Sequence, residues 1–273
     1  MDAAAALKQY DAMFGVEPIE KIEQFLDEQL ALARSGNDRG ALFALLNESV
    51  GLARSLRKRE KALAGCEELL DLADTLGVSC SPQYATMLLN VGTAYSVFGR
   101  YECAESLFRK AEALFLSFGV GHAYELASLY NNWSLLYAQQ RRFAESVSLQ
   151  KKALSGIDAL DGAAEEKATS RANIASILAR QFEAERANAL LDEAEQLINE
   201  AIALFRAEAC DSFHYGTALI AQGDIRMARG DPSAAAEAYA SAMAQLERTI
   251  GQGAQYEAAR TLYERARLAE EAL

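Results

Sequence analysis

Proline, histidine and tryptophan are scarce in this chain, with three, two and one among 273 residues. So few prolines leave long stretches free to run as uninterrupted helix, because proline removes a backbone donor and clashes with the preceding turn. The two histidines, His122 and His214, lie near the starts of different helical segments and read as capping or surface residues. Neither has a Cys or Ser partner at triad spacing, and two are too few for a metal site. The four cysteines, Cys66, Cys80, Cys103 and Cys210, are scattered without CxxC spacing. A reduced, cytoplasmic chain is therefore expected. GxxxxGK[ST], GxGxxG and HExxH are absent, and Gly119-Val120-Gly121 reads as a helix break, so neither enzyme activity nor a cofactor is expected. Basic charge is also short: the net charge of −12 argues against nucleic acid. No run approaches the ~18 apolar residues of a membrane span. The opening MDAAAALKQYDAMFG lacks the basic-then-apolar pattern of a signal peptide.

What is abundant is Ala, Leu and Glu, arranged with helical periodicity. In LLNVGTAYSVFGRYECAESLFRKA, Leu88, Gly92 and Tyr95 share one helix face, and Ala104, Phe108 and Ala111 share the next. Gly92 and Ala104 are small because two antiparallel helices approach closely only where neither projects a large side chain. The pattern returns in phase as Tyr130, Ser134, Tyr137, Ser146, Gln150 and Ala153. It returns again as Leu219, Gly223, Arg226, Ala235, Tyr239 and Ala242, with Arg226 where an aromatic is expected. A weaker copy uses Leu45, Ser49 and Leu52 with Ala62, Cys66 and Leu69. Cys66 thereby reads as a small core hydrophobe, and Trp133 and most tyrosines read as packing.

This small/aromatic spacing resembles the tetratricopeptide repeat (TPR), over roughly Ala41 to Glu271. Gly92 to Ser134 is 42 residues, longer than the standard 34 and similar to the kinesin-light-chain type. The resemblance implies an all-α, right-handed superhelical solenoid of antiparallel helix pairs, with about five repeats plus terminal helices. It is read as one domain over 1–273: N-terminal helices over 1–36, helix-pair repeats over 37–250, and a capping helix over 251–273. Met1–Gly15 is expected to be a loosely attached helix, and the last helix, carrying Arg260, Glu264 and Arg267, a solvating cap. One unit is irregular. From Leu178 to Ala194 it carries seven residues more than the equivalent Tyr95 to Ala104, close to two helical turns. An elongated hairpin follows, with its tip between Phe182 and Asn188.

In the resembling family the first helix of each pair lines the inner surface. Asn47, Asn90, Asn132 and Asn173 recur there at spacings of 43, 42 and 41. A ladder of amides would offer both donors and acceptors to a peptide backbone; equally, the amides would bond across neighbouring helices. Ala221 takes the place in the last unit, so the groove closes or changes character there. The same face carries Arg54, Thr86, Thr93, Asn131, Gln139, Ser176 and Arg180, of which the arginines suit a carboxylate. Arg141-Arg142 reads as a solvated turn. The resemblance thus implies a non-catalytic module binding a protein or peptide partner in its groove. The alternatives are a self-associating scaffold, or a cytosolic receptor for a short signalling peptide.

Overall fold

The computed structural model describes residues 1–119 and 121–272, so Val120, within the expected Gly119–Gly121 break, lies outside them. Among the described residues there are thirteen helices and no strand. No helix among them is long and apolar enough to cross a membrane. The chain divides into two compact units, Met1–Glu125 and Leu126–Leu273.

In the first unit, α1 (Ala3–Met13) and α2 (Ile19–Ser35) precede two hairpins, α3/α4 (Arg39–Ser55, Arg59–Leu76) and α5/α6 (Pro82–Val97, Tyr101–Ser117). Their starts are written locally. The Asp38 carboxylate accepts from the Ala41 amide at 3.0 Å, and the Ser81 hydroxyl accepts from Tyr84 at 3.1 Å just ahead of Pro82. At the crossing of α5 and α6, a Cβ added to Gly92 would lie 2.8 Å from the Phe108 ring, which explains the small residue. Cys66 is fully buried, and burial pushes its thiol up to about 12. The first helix is seated more firmly than its sequence suggests. Tyr10 is 5% exposed, and burial, reinforced by Glu48 and Asp11, pushes its phenol up to about 12. The His122 ring packs 5.8 Å from Phe115 and 5.6 Å from Phe118, and its Nδ1 lies 3.3 Å from Glu125 Oε1 in the first turn of the next helix.

The second unit begins within α7 (Ala123–Gln139), followed by α8 (Phe143–Asp158), α9 (Ala164–Glu185), α10 (Asn188–Glu208), α11 (Phe213–Ala228), α12 (Pro232–Ile250) and α13 (Ala254–Glu271). The long hairpin is α9/α10, whose tip is Arg186-Ala187. Its in-phase residues Ala175, Leu178, Ala194, Ile198 and Ala201 are all buried. The Arg226 anomaly also resolves. Arg226 takes no core place and instead pairs with Glu195 on α10 at 2.6 Å. Arg142, expected to be solvated, folds back over the Tyr137 ring at 3.8 Å.

In the α3/α4, α5/α6, α7/α8 and α11/α12 hairpins, the chain turns through a left-handed residue two positions past the first helix. Gly99 and Gly230 serve this position at φ 81° and 80°, but Arg57 and Arg141 serve it at 58° and 61°. A side chain costs ~1–2 kcal/mol there, partly offset by the greater unfolded-state freedom of glycine. Arg141→Gly is therefore expected to raise stability by about 1 kcal/mol, read as a higher urea midpoint with unchanged m-value.

Candidate functional site

The polar residues of the first helices form two separate clusters, one in each unit. In the first, α3 and α5 lie side by side, and the Asn90 amide donates to Asn47 Oδ1 at 3.0 Å. Asn47 in turn donates to Glu48, whose carboxyl is pushed above its ordinary range by burial. Arg54 is half-buried on the same helix, and the lost hydration lowers its pKa. It forms no ion pair among the described residues. The hydroxyls of Thr86 and Thr93 donate to their own helix, to the carbonyls of Pro82 and Leu89, and Thr93 is buried besides.

In the second unit the spacing-based equivalence shifts by one residue. Asn173 donates at 2.8 Å to Oδ1 of Asn131, not of Asn132. The Asn132 amide donates instead to the Ser128 carbonyl one turn back, so it does not join the bridge. Asn131 Oδ1 also accepts from Gln150 Nε2 at 2.8 Å. Gln150 is wholly buried on α8, and its amide reaches the Ser134 hydroxyl at 2.6 Å. Ser146, also wholly buried, donates to the Ser134 carbonyl. Thus Asn173, Asn131, Gln150, Ser134 and Ser146 tie α7, α8 and α9 through one polar network. Sequence phase marked Gln150 only as the counterpart of Phe108. The missed signal is that a polar residue in that place needs a hydroxyl or amide above it, which Ser134 and Asn131 supply. Gln139 is exposed and makes no hydrogen bond to the described residues.

Beyond this network, α9, α11, α12 and α13 enclose a cavity of about 550 Å³. Ser176 and Arg180 line it; the Ser176 hydroxyl donates to Ala172, and Arg180 donates to the Ala138 carbonyl at 3.2 Å. Four further polar residues that sequence reasoning passed over join them: Glu183, Arg186, Asp224 and Arg265. Asp224 accepts from the Tyr239 hydroxyl at 2.7 Å. Its carboxyl opens onto the cavity, yet the dense wall behind it pushes its pKa up, with Tyr239 and Arg265 opposing the rise. The last helix is accordingly more than a solvated cap. Arg260, Glu264 and Arg267 are exposed, but Ala259 and Ala266 are fully buried and Leu262 packs against the cluster of Ala235, Ala236, Tyr239 and Ala266.

A group raised in the folded state contributes stability that is present below its unfolded value and lost as pH rises through the folded one. Asp224→Asn keeps an oxygen for Tyr239 and removes that loss. The variant is expected to melt above wild type at neutral pH, with the gain vanishing below the ordinary carboxylate value of 3.8. Paired melts across that range check it.

A family model for the tetratricopeptide repeat matches residues 126–157, the α7/α8 hairpin. Comparison with curated proteins yields no match. Among solved structures, BtubC (BKLC) from P. vanneervenii is 17% identical, with 93% of this chain and 91% of that one covered at a TM-score of 0.61. A putative kinesin light chain of nearly identical TPR-like repeats from Podosopora anserina is 16% identical, over 81% and 97%, at 0.58. The quorum sensor NprR from B. thuringiensis, in apo form, is 12% identical, over 96% and 70%, at 0.68. NprR in complex with its cognate peptide NprX matches at 12% identity over 99% and 77%, at 0.65. These likenesses establish a TPR-like helical solenoid fold.

Proposed function

We propose that the chain is a non-catalytic protein-interaction module that holds an extended peptide, or an extended segment of a partner, along the first helices of its repeats. The observation that carries this reading is the incomplete use of the bridging amides. A side-chain amide has two N–H donors and a carbonyl oxygen with two lone pairs. Asn90 and Asn173 each give one N–H to the neighbouring helix, and both stand half-buried. Their second N–H and their oxygen remain to meet the alternating C=O and N–H of an extended backbone. The bridge holds the amide in place, so little rotamer entropy is lost on binding. The fold it shares with NprR, solved with a cognate peptide, favours a peptide over self-association.

The test uses immobilised random hexapeptides as probe, with binding and melting measured on the same variants. Asn90→Ala and Asn173→Ala each remove only one bridge, worth about 1 kcal/mol. The double variant is expected to lose binding at least tenfold while keeping its helical signal and melting within a few degrees of wild type. A double variant that binds the selected peptides as tightly as wild type would sink the reading.

A further inference from the structure

The surplus turns of the long hairpin help to build the cavity of the second unit. α5 ends two residues past Tyr95, at Val97, whereas α9 runs seven past the equivalent Leu178, to Glu185. Phe182, Glu183 and Arg186, all on the cavity wall, lie in or just beyond that extension. Two ion pairs fasten α10, the returning arm, to the end of α11: Asp192 with Arg229 and Glu195 with Arg226. The wall is thus held in shape before any ligand arrives, and about 550 Å³ is the size of a small-molecule site.

Three kinds of group face that space. Arg180, Arg186 and Arg265 form no ion pair among the described residues, whereas Arg34, Arg100, Arg171 and Arg248 each sit against a carboxylate. Glu183 makes no hydrogen bond to the described residues, and Asp224 gives one oxygen to the Tyr239 hydroxyl, so both can still accept. Phe182, Met227 and Leu262 are apolar. Each kind narrows the ligand. Guanidinium donors reject a cation, and a carboxylate, with two oxygens, fills only one fork. A phosphate ester brings three oxygens and a charge of about −1.5 to −2, enough for several forks at once. The two carboxylates exclude a ligand that is anionic throughout and call for hydroxyl donors away from the phosphate, the way an acidic side chain holds a ribose. We infer that this cavity binds a nucleoside phosphate, with the phosphate on the arginines, ribose hydroxyls on Glu183 and Asp224, and the base against Phe182, Met227 and Leu262. The site is additional to the peptide groove and does not rest on it.

The experiment titrates the full chain calorimetrically with AMP, GMP, CMP and UMP, and with adenosine, ribose 5-phosphate and inorganic phosphate. At least one nucleotide is expected to bind tenfold or more tighter than any of the three fragments. Arg186 and Arg265 are exposed and hold no ion pair, so R186Q/R265Q leaves melting unchanged while weakening that nucleotide about tenfold or more. The salt sensitivity of binding falls with it. N90A/N173A is expected to bind the nucleotide as wild type does, which separates this site from the amide bridges. Failure of all four nucleotides to bind wild type overturns the inference, as does equal binding by R186Q/R265Q. Inorganic phosphate or ribose 5-phosphate binding as tightly as any nucleotide overturns it too, since the apolar wall would then read nothing.

Discussion

Gly223→Ala lowers the stability of the second unit by about 2 kcal/mol or more. The added Cβ would lie 2.3 Å from Cε1 of Tyr239 and 2.6 Å from Cδ1, well inside any tolerated contact. The ring is held in place: Tyr239 is 1% exposed and its hydroxyl is tied to Asp224 at 2.7 Å. Overpacking costs ~1–3 kcal/mol and occasionally more, and contacts this short stand at the upper end of that range, against the ~1 kcal/mol that alanine regains in helix propensity. Gly51→Ala supplies the contrast, since no atom lies within 4 Å of the place its methyl group would take on α3. That variant gains up to about 1 kcal/mol. Chemical denaturation of both, side by side, decides the matter; equal effects would mean that the Gly223–Tyr239 contact relaxes freely.

Gln150→Ala costs about 3 kcal/mol. The side chain is wholly buried, and its amide donates both to Asn131 and to Ser134. Truncation opens a cavity and leaves Ser134 and Asn131 short of a buried partner. The position corresponds to Phe108 and Tyr239, each seated under a glycine, whereas Gln150 sits under Ser134. Gln150→Phe alone is therefore expected to destabilise by collision with Ser134. Ser134→Gly with Gln150→Phe should recover most of that loss by recreating the ring-under-glycine arrangement. A double-mutant cycle measures the coupling, and additive effects would show that the two positions do not form one packing unit.

Both predictions start from positions that repeat phase alone singles out. Gly92, Ala104 and Phe108 mark a close helix crossing because only that spacing places small residues opposite large ones, and the latter two are fully buried. The seven surplus residues between Leu178 and Ala194 foretell the α9/α10 hairpin, because an antiparallel pair keeps its register only if both helices lengthen together. The candidate site was less legible. Asn131 and Asn132 are adjacent, about 100° apart around a helix, and both fit the repeat period within one residue. Which of them meets Asn173 depends on the rotation of one helix against its neighbour, which spacing does not encode. Arg265 and Asp224 are forty-one residues apart and belong to no shared motif. They face one cavity only because Ala259 and Ala266 seat α13, turning Leu262 toward the cluster that holds Tyr239.

The sequence by itself determined helices, turns, their pairing into repeats and the side chains at each crossing, since these follow from local periodicity and from the space available between two adjacent helices. The tertiary structure alone decided which amides bridge, that Gln150 anchors a buried polar network, and that three arginines without an ion-pair partner among the described residues share one cavity. Those outcomes depend on angles between helices distant in the chain, where a small rotation exchanges one neighbouring side chain for the next.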